Sequence, residues 1–314
     1  MMAEKPNTPG YGTPGLATAL AALALGAAAM GASPIFVRFA ANDVGPFASA
    51  FWRVFLALPF LYIWMAREKR TLPASATGKT FTTFSTLAGL AFAGDLLFWH
   101  LSIMHTTVAN STFFAAQAPV FVMAITWLVL REPIPRNAVA GAALCLCGGA
   151  VLVGKTLHIN PDNLAGDVYG VGTAALFGLY FLAIGRARQG GEPPARVMFA
   201  QTAVTASGLC VAAALHSAIS GVGFFPATAR GFAPLVALAL ISHIGGQGLL
   251  IVAMGGLSAV FSSLAIFMEA LVAALLGWLF LSEAITGTQI VGGLIILVGV
   301  WVARPSESDA PGQR

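Results

Sequence analysis

Residues 108–151 read VANSTFFAAQAPVFVMAITWLVLREPIPRNAVAGAALCLCGGAV, and residues 259–302 read AVFSSLAIFMEALVAALLGWLFLSEAITGTQIVGGLIILVGVWV. Laid together at a constant offset of 151, without a gap, Ser111 falls on Ser262, Trp127 on Trp278, Leu130 on Leu281 and Glu132 on Glu283. Ile134 falls on Ile285, Gly141 on Gly292 and Gly148 on Gly299. An apolar repeat of this length is a duplicated set of membrane helices. If an odd number of crossings separates the copies, they lie upside down relative to each other, the inverted-topology repeat of membrane proteins.

The rest of the chain agrees. Of 314 residues 58% are hydrophobic and only 9% are charged, against about 25% charged in a soluble domain. Mean hydropathy is +0.84. So few charges cannot cover a water-exposed surface, whereas a chain solvated by a lipid bilayer does not need them. A span needs about 20 apolar residues. Breaks at Gly, Pro and charge clusters then give ten spans near 16–41, 46–66, 80–103, 106–130, 136–155, 167–187, 196–217, 232–254, 257–281 and 285–303. The fold class is all-α integral membrane, two inverted five-helix repeats over 16–155 and 167–303, joined by a linker at 156–166. Residues 1–15, rich in Pro and Gly, read as a disordered cytoplasmic tail, and 304–314 as a second tail. The Ala-rich stretch after residue 15 resembles a signal peptide but runs on to Ala41, and is read as a retained first helix.

Lys and Arg set the orientation. With the N-terminus inside, the cytoplasmic side collects Lys5, Arg67, Lys69, Arg70, Lys79, Arg131, Arg136, Arg186, Arg188, Arg196, Arg304 and Arg314, twelve in all, against Lys155, Arg230 and Arg38 outside. Both termini are therefore expected in the cytoplasm, the membrane being a bacterial-type inner membrane. Five crossings separate span 4 from span 9, so the repeat is inverted. A weaker match places Phe51 on Phe199 and Arg53 on Gln201. Basic residues at membrane edges give no reason to expect a nucleic-acid partner.

Polar groups in mid-membrane are costly and are functional candidates by default. By helix rise, Glu269 and His243 lie near the midplane, with Gln247 on the same face as His243. Gln117 lies near the middle of span 4, with Asn110 two turns away. Arg53 and Asp95 form a second group of matching depth, read as a buried ion pair that either orients helices or gates the outer side. Glu269, with no cation at an obvious equal depth except His243, is the first choice for a carboxyl that exchanges a proton or holds a substrate amine. Its competing reading is a protonated side chain bonded to helix backbone. Tyr180, Trp52 and Trp99 either line a cavity or anchor at the lipid interface, and His100, His105 and His216 read as interfacial. Pro34, Pro59 and Pro119 interrupt spans 1, 2 and 4.

Cys145 and Cys147, two residues apart, point to nearly opposite sides of a helix; with Cys210 they read as buried small hydrophobes, with no disulfide framework and no metal spacing. The glycines at 141, 148, 292 and 299 permit close helix contact, either within the chain or in a homodimer. Walker loops, His-Glu-x-x-His motifs and nucleophile elbows are missing from the sequence, and no cofactor is expected.

With these residues in place, the chain resembles the EamA family of the drug/metabolite transporter superfamily over roughly residues 16–303. The resemblance rests on Arg53 with Ala57, on Ala118-Pro119-Val120-Phe121, on Glu132, on Gln201, and on Glu269 and Glu283. Two departures stand out. Ala270 replaces a proline that often follows the Glu, so span 9 should be straighter than span 4, and Arg131 replaces a small residue before Glu132. The resemblance implies a ten-helix carrier that usually exports amino acids or related small metabolites. Spans 1–4 and 6–9 are expected to wall its cavity, and spans 5 and 10 to serve as scaffold. The expected function is export by alternating access with protons as coupling ion, through Glu269, His243, Gln247, Gln117, Asn110, Arg53, Asp95, Tyr180 and Gln201. Alternatives are a facilitative uptake permease, a channel, or an intramembrane enzyme acting on lipid-linked substrates.

Overall fold

A computed structural model describes residues 13–40, 43–73, 78–106, 108–154, 161–281 and 285–305. Among them, nine helical stretches are long and apolar enough to cross a membrane, from Leu16–Ala40 to Ala259–Phe280, and Gly287–Ala303 is a shorter tenth. Each repeat contributes five, so an odd number of crossings turns the second repeat over. Lys155 and Glu283, and residues 156–160 of the predicted linker, lie outside the described residues.

Local chemistry sets the helix ends. Thr82 and Ser85 form a capping box at the start of span 3, Thr86 following in the first turn, and Thr286 with Gln289 does the same for span 10. These side chains satisfy backbone N–H groups that have no partner within the helix. Pro46 and Pro194 occupy first-turn positions in spans 2 and 7, where a missing N–H costs nothing. Gly221, at φ +70, closes span 7 in the left-handed conformation, which costs glycine no Cβ clash.

The three predicted proline interruptions are present. Span 1 divides into Leu16–Gly31 and Ser33–Ala40, span 2 into Pro46–Phe55 and Leu58–Thr71, and span 4 into Val108–Ala115 and Ala118–Leu128. Span 9, expected to be straighter than span 4 because it has Ala270 in place of a proline, also breaks, between Ala259–Ser263 and Ala265–Leu281. The break is a single residue, Leu264, and it lies beside Ser263, whose hydroxyl donates to the Val260 carbonyl at 2.8 Å. Such back-bonding by serine bends helices without proline.

Span 8 is wound differently from the rest. Phe232–Ala237 and Gly248–Ala253 are α-helical, but Leu238–Gln247 between them is a π-helix. Extended π winding is rare and is found mostly at functional sites.

Spans 5 and 10 pack along their glycines. A Cβ on Gly148 would meet the Gly292 carbonyl at 2.8 Å, and one on Gly299 would meet the Gly141 carbonyl at 2.7 Å. The glycine rows therefore face each other inside one chain, which decides the packing question that the sequence left open. Cys145 is buried in this seam, whereas Cys147 is exposed. The two do point apart, but Cys147 is not the buried hydrophobe expected, because span 5 turns that face outward.

Candidate functional site

A cavity of about 160 Å³ lies between the repeats, and its wall carries Arg53, Asp95, Gln247 and Glu269. Spans 1, 2, 3, 4, 6, 8 and 9 all contribute, including Ser33, Phe92, Trp99, Thr112, Phe177 and Ile266. Spans 5 and 10 stay away from it, as expected of scaffold, and span 7 stands behind the wall.

The helix breaks build this wall. Arg53 is near the end of Pro46–Phe55, just before the interruption that Pro59 imposes, and is only 7% exposed. Its Nη1 donates to Ser33 Oγ at 3.3 Å, and Ser33 stands at the break in span 1. Arg53 Nε and Glu269 Oε1 are buried without hydrogen-bond partners. The expected Arg53–Asp95 ion pair is not formed: among the described residues, no N···O contact within 4.0 Å joins Arg53 to either carboxylate. Arg53 nevertheless shares one cavity wall with both carboxylates. The two groups that sequence depth kept apart are thus one, and Glu269 does have a cation in reach. Straight-rod arithmetic misplaced them because spans 1, 2 and 9 are broken.

A fully buried polar layer lies behind the cavity. Tyr180 Oη donates to Gln247 Oε1 at 2.7 Å, which ties span 6 to the π-helical part of span 8. Gln201 Nε2 donates to Thr202 Oγ1 at 2.8 Å, and that oxygen lies 3.0 Å from His243 Nε2. Phe92 stacks on the His243 ring at 5.9 Å and packs against Tyr180 at 5.1 Å. Gln201 Oε1, His243 Nδ1 and Gln247 Nε2 have no hydrogen-bond partner. Buried polar atoms are nearly always satisfied, so these orphans mark places that water or a ligand would fill.

Tyr180, His243 and Gln201 thus stand behind the cavity wall rather than in it, and two further predicted site residues, Asn110 and Gln117, belong neither to the wall nor to this layer. Asn110 Nδ2 donates to Asp167 Oδ1 at 3.0 Å, an oxygen that also accepts from Thr106 Oγ1 at 2.8 Å; this fastens span 4 to the start of span 6. Gln117 Nε2 donates to the Phe113 carbonyl at 3.1 Å. That carbonyl is released by the Pro119 break, because the Gln117 N–H turns to Phe114 instead. Among the aromatic candidates, Trp99 lines the cavity, whereas Trp52 donates to the Phe224 carbonyl at 2.9 Å. His100 is buried rather than interfacial: its ring stands between Phe47 and Trp99, with Nδ1 2.6 Å from the Leu96 carbonyl. Sequence reasoning did not name Ser33 or Thr112 as site residues; the signal for Ser33 was its place beside Pro34, and Thr112 carried none.

A second cavity, about 300 Å³, opens on the face where Leu16 and Ala303 lie. Arg186 Nη2 contacts Glu132 Oε1 there at 2.6 Å, joining span 6 of one repeat to span 4 of the other. No group of three or more His, Cys, Asp or Glu side chains among the described residues could hold a metal ion.

A profile of the EamA-like transporter family matches residues 17–154 and again 164–304. The chain belongs to the EamA-like transporter family. It carries two EamA units and is a multi-pass membrane protein. An uncharacterized transporter from Archaeoglobus fulgidus is 32% identical over 148 residues, 46% of this chain and 50% of that protein. The chain thus spans about half the length of the curated relative it matches. A crystal structure with 16% sequence identity superposes with a TM-score of 0.75, over 92% of this chain and 98% of its own; at that identity the likeness is one of fold. Within the family's ten-helix frame, the charged cavity lies between the two EamA units.

Proposed function

We propose that this EamA transporter exports amino acids or related small metabolites by alternating access around the cavity of Arg53, Asp95 and Glu269, with protons as the coupling ion. The observation that carries the reading is Glu269 Oε1, buried without a hydrogen-bond partner in a cavity that Arg53 also lines. Arg53 offers a cation for a substrate carboxylate, and Glu269 and Asp95 offer anions for its amine or for a proton. Gln247 reaches the cavity from the polar layer of Tyr180, His243 and Gln201, which positions the wall. Asn110 and Gln117 serve helix packing.

The charge asymmetry of the loops supports both termini in the cytoplasm of a bacterial-type inner membrane. The substrate leaves as it entered, with no covalent step. Glu132–Arg186 lies on the cytoplasmic side in this orientation, where it fastens the repeats together.

The test is uphill movement of an amino acid in proteoliposomes under an imposed pH gradient. Wild-type protein should accumulate substrate and Glu269→Gln should only equilibrate it. Uphill transport by Glu269→Gln would sink the proton role.

A further inference from the structure

The charges that line the cavity do not cancel. Asp95 and Glu269 bring two negative charges against the single positive charge of Arg53, and among the described residues no other Lys or Arg lines the wall. None of the three is used up by a neighbour: the one side-chain bond of Arg53 is the long one to Ser33, and no carboxylate forms an ion pair with it. The other titratable groups packed around them are His243 and Tyr180 in the layer behind and His100 on span 3. Unpaired charge in a low-dielectric site is costly until opposite charge arrives.

We infer that the preferred substrate is a dibasic amino acid, whose carboxylate meets Arg53 and whose two cationic groups meet Asp95 and Glu269. The inference rests on the proposed function and adds the substrate class. Such a molecule carries the three charges of the wall with signs reversed, and its net charge of one neutralises the site. The empty carrier reaches the same neutrality by taking one proton on a carboxyl. Substrate and proton therefore exclude each other, and the proton leaves toward the side from which the substrate enters. One substrate exchanged for one proton moves no net charge. A neutral amino acid leaves one negative charge uncompensated. At about 160 Å³ the cavity suits a short linear molecule and is below the ~300 Å³ at the lower end of ordinary ligand pockets.

The experiment is counterflow by the purified full chain in proteoliposomes, with labelled lysine, leucine and glutamate as probes. Lysine should exchange faster than leucine and glutamate by about tenfold or more, and lysine uptake driven by a pH gradient should not change when potassium and valinomycin clamp the membrane potential. Glu269→Gln and Asp95→Asn, each removing one negative charge, should lower the ratio of lysine to leucine exchange by about tenfold. A variant that merely folds poorly would lower both. If neither variant folds, the wild-type ranking decides alone. Leucine exchange that matches lysine, or lysine uptake that follows the membrane potential, overturns the inference and leaves the proposed function standing. Exchange of no amino acid at all overturns both.

Discussion

Cys145 places its thiol 3.6 Å from the Ile296 carbonyl, and the two residues, 151 positions apart, are each other's counterpart in the repeat. A residue that touches its own counterpart lies on the symmetry axis relating the two copies. The neighbouring contacts obey the same rule: Gly141 meets Gly299, the counterpart of Gly148, and Gly148 meets Gly292, the counterpart of Gly141. The axis of the inverted repeat therefore runs through the seam between spans 5 and 10.

That seam has no room for a side chain. Gly148→Val should destabilise the protein by about 1–3 kcal/mol, the usual cost of overpacking, seen as a lower melting temperature in detergent. A variant as stable as wild type would mean that the two helices separate at no cost, contrary to the close approach of their backbones.

Asn110 and Asp167 should behave as a structural pair. Removing the acceptor in Asp167→Ala strands buried donors at about 1–3 kcal/mol, and Asn110→Ala should add little to it in a double-mutant cycle. Melting temperatures measure the coupling, and the KM of the surviving carrier should match wild type. A raised KM in Asn110→Ala would return this residue to the substrate path.

Arg131 adopts φ +56, the only positive value among described residues other than glycine. The left-handed region costs an L-residue about 1–2 kcal/mol, because Cβ crowds the following carbonyl oxygen. Arg131→Gly should raise stability by about 0.5–1 kcal/mol once the looser unfolded chain is allowed for. A lower melting temperature would show that the guanidinium has a stabilising contact that outweighs the strain.

Tyr180→Phe deletes the hydroxyl that orients Gln247 in the cavity wall. The expected loss is about 1 kcal/mol of stability and a rise in KM of no more than about fivefold, with the maximal rate preserved. Collapse of the maximal rate in a well-folded variant would instead put the hydroxyl in the transfer path.

Much of this was legible in the sequence, for specific reasons. Pro34, Pro59 and Pro119 announced breaks because a residue without an N–H cannot continue the backbone ladder. Arg53, Asp95 and Glu269 stood out because charge is rare in apolar runs, and matching depth grouped the first two. That Glu269 joins them in one cavity was not legible, since it depends on the direction each helix takes after its break. The break at Leu264 had no proline to announce it. Asn110 illustrates a different limit: an amide in a span looks the same whether it meets a substrate or, as here, the carboxylate of Asp167.

The winding of Leu238–Gln247 links the two ends of the polar layer. A helix wound in i→i+5 steps holds its side chains out of phase with the α-helical turns before and after it. Resetting those ten residues to α pitch would rotate His243 away from Thr202 and Gln247 away from Tyr180 in a single motion. The wall of the cavity and the hydrogen bonds behind it are thus geared to one coordinate, and a twist applied at either end of span 8 is felt at both.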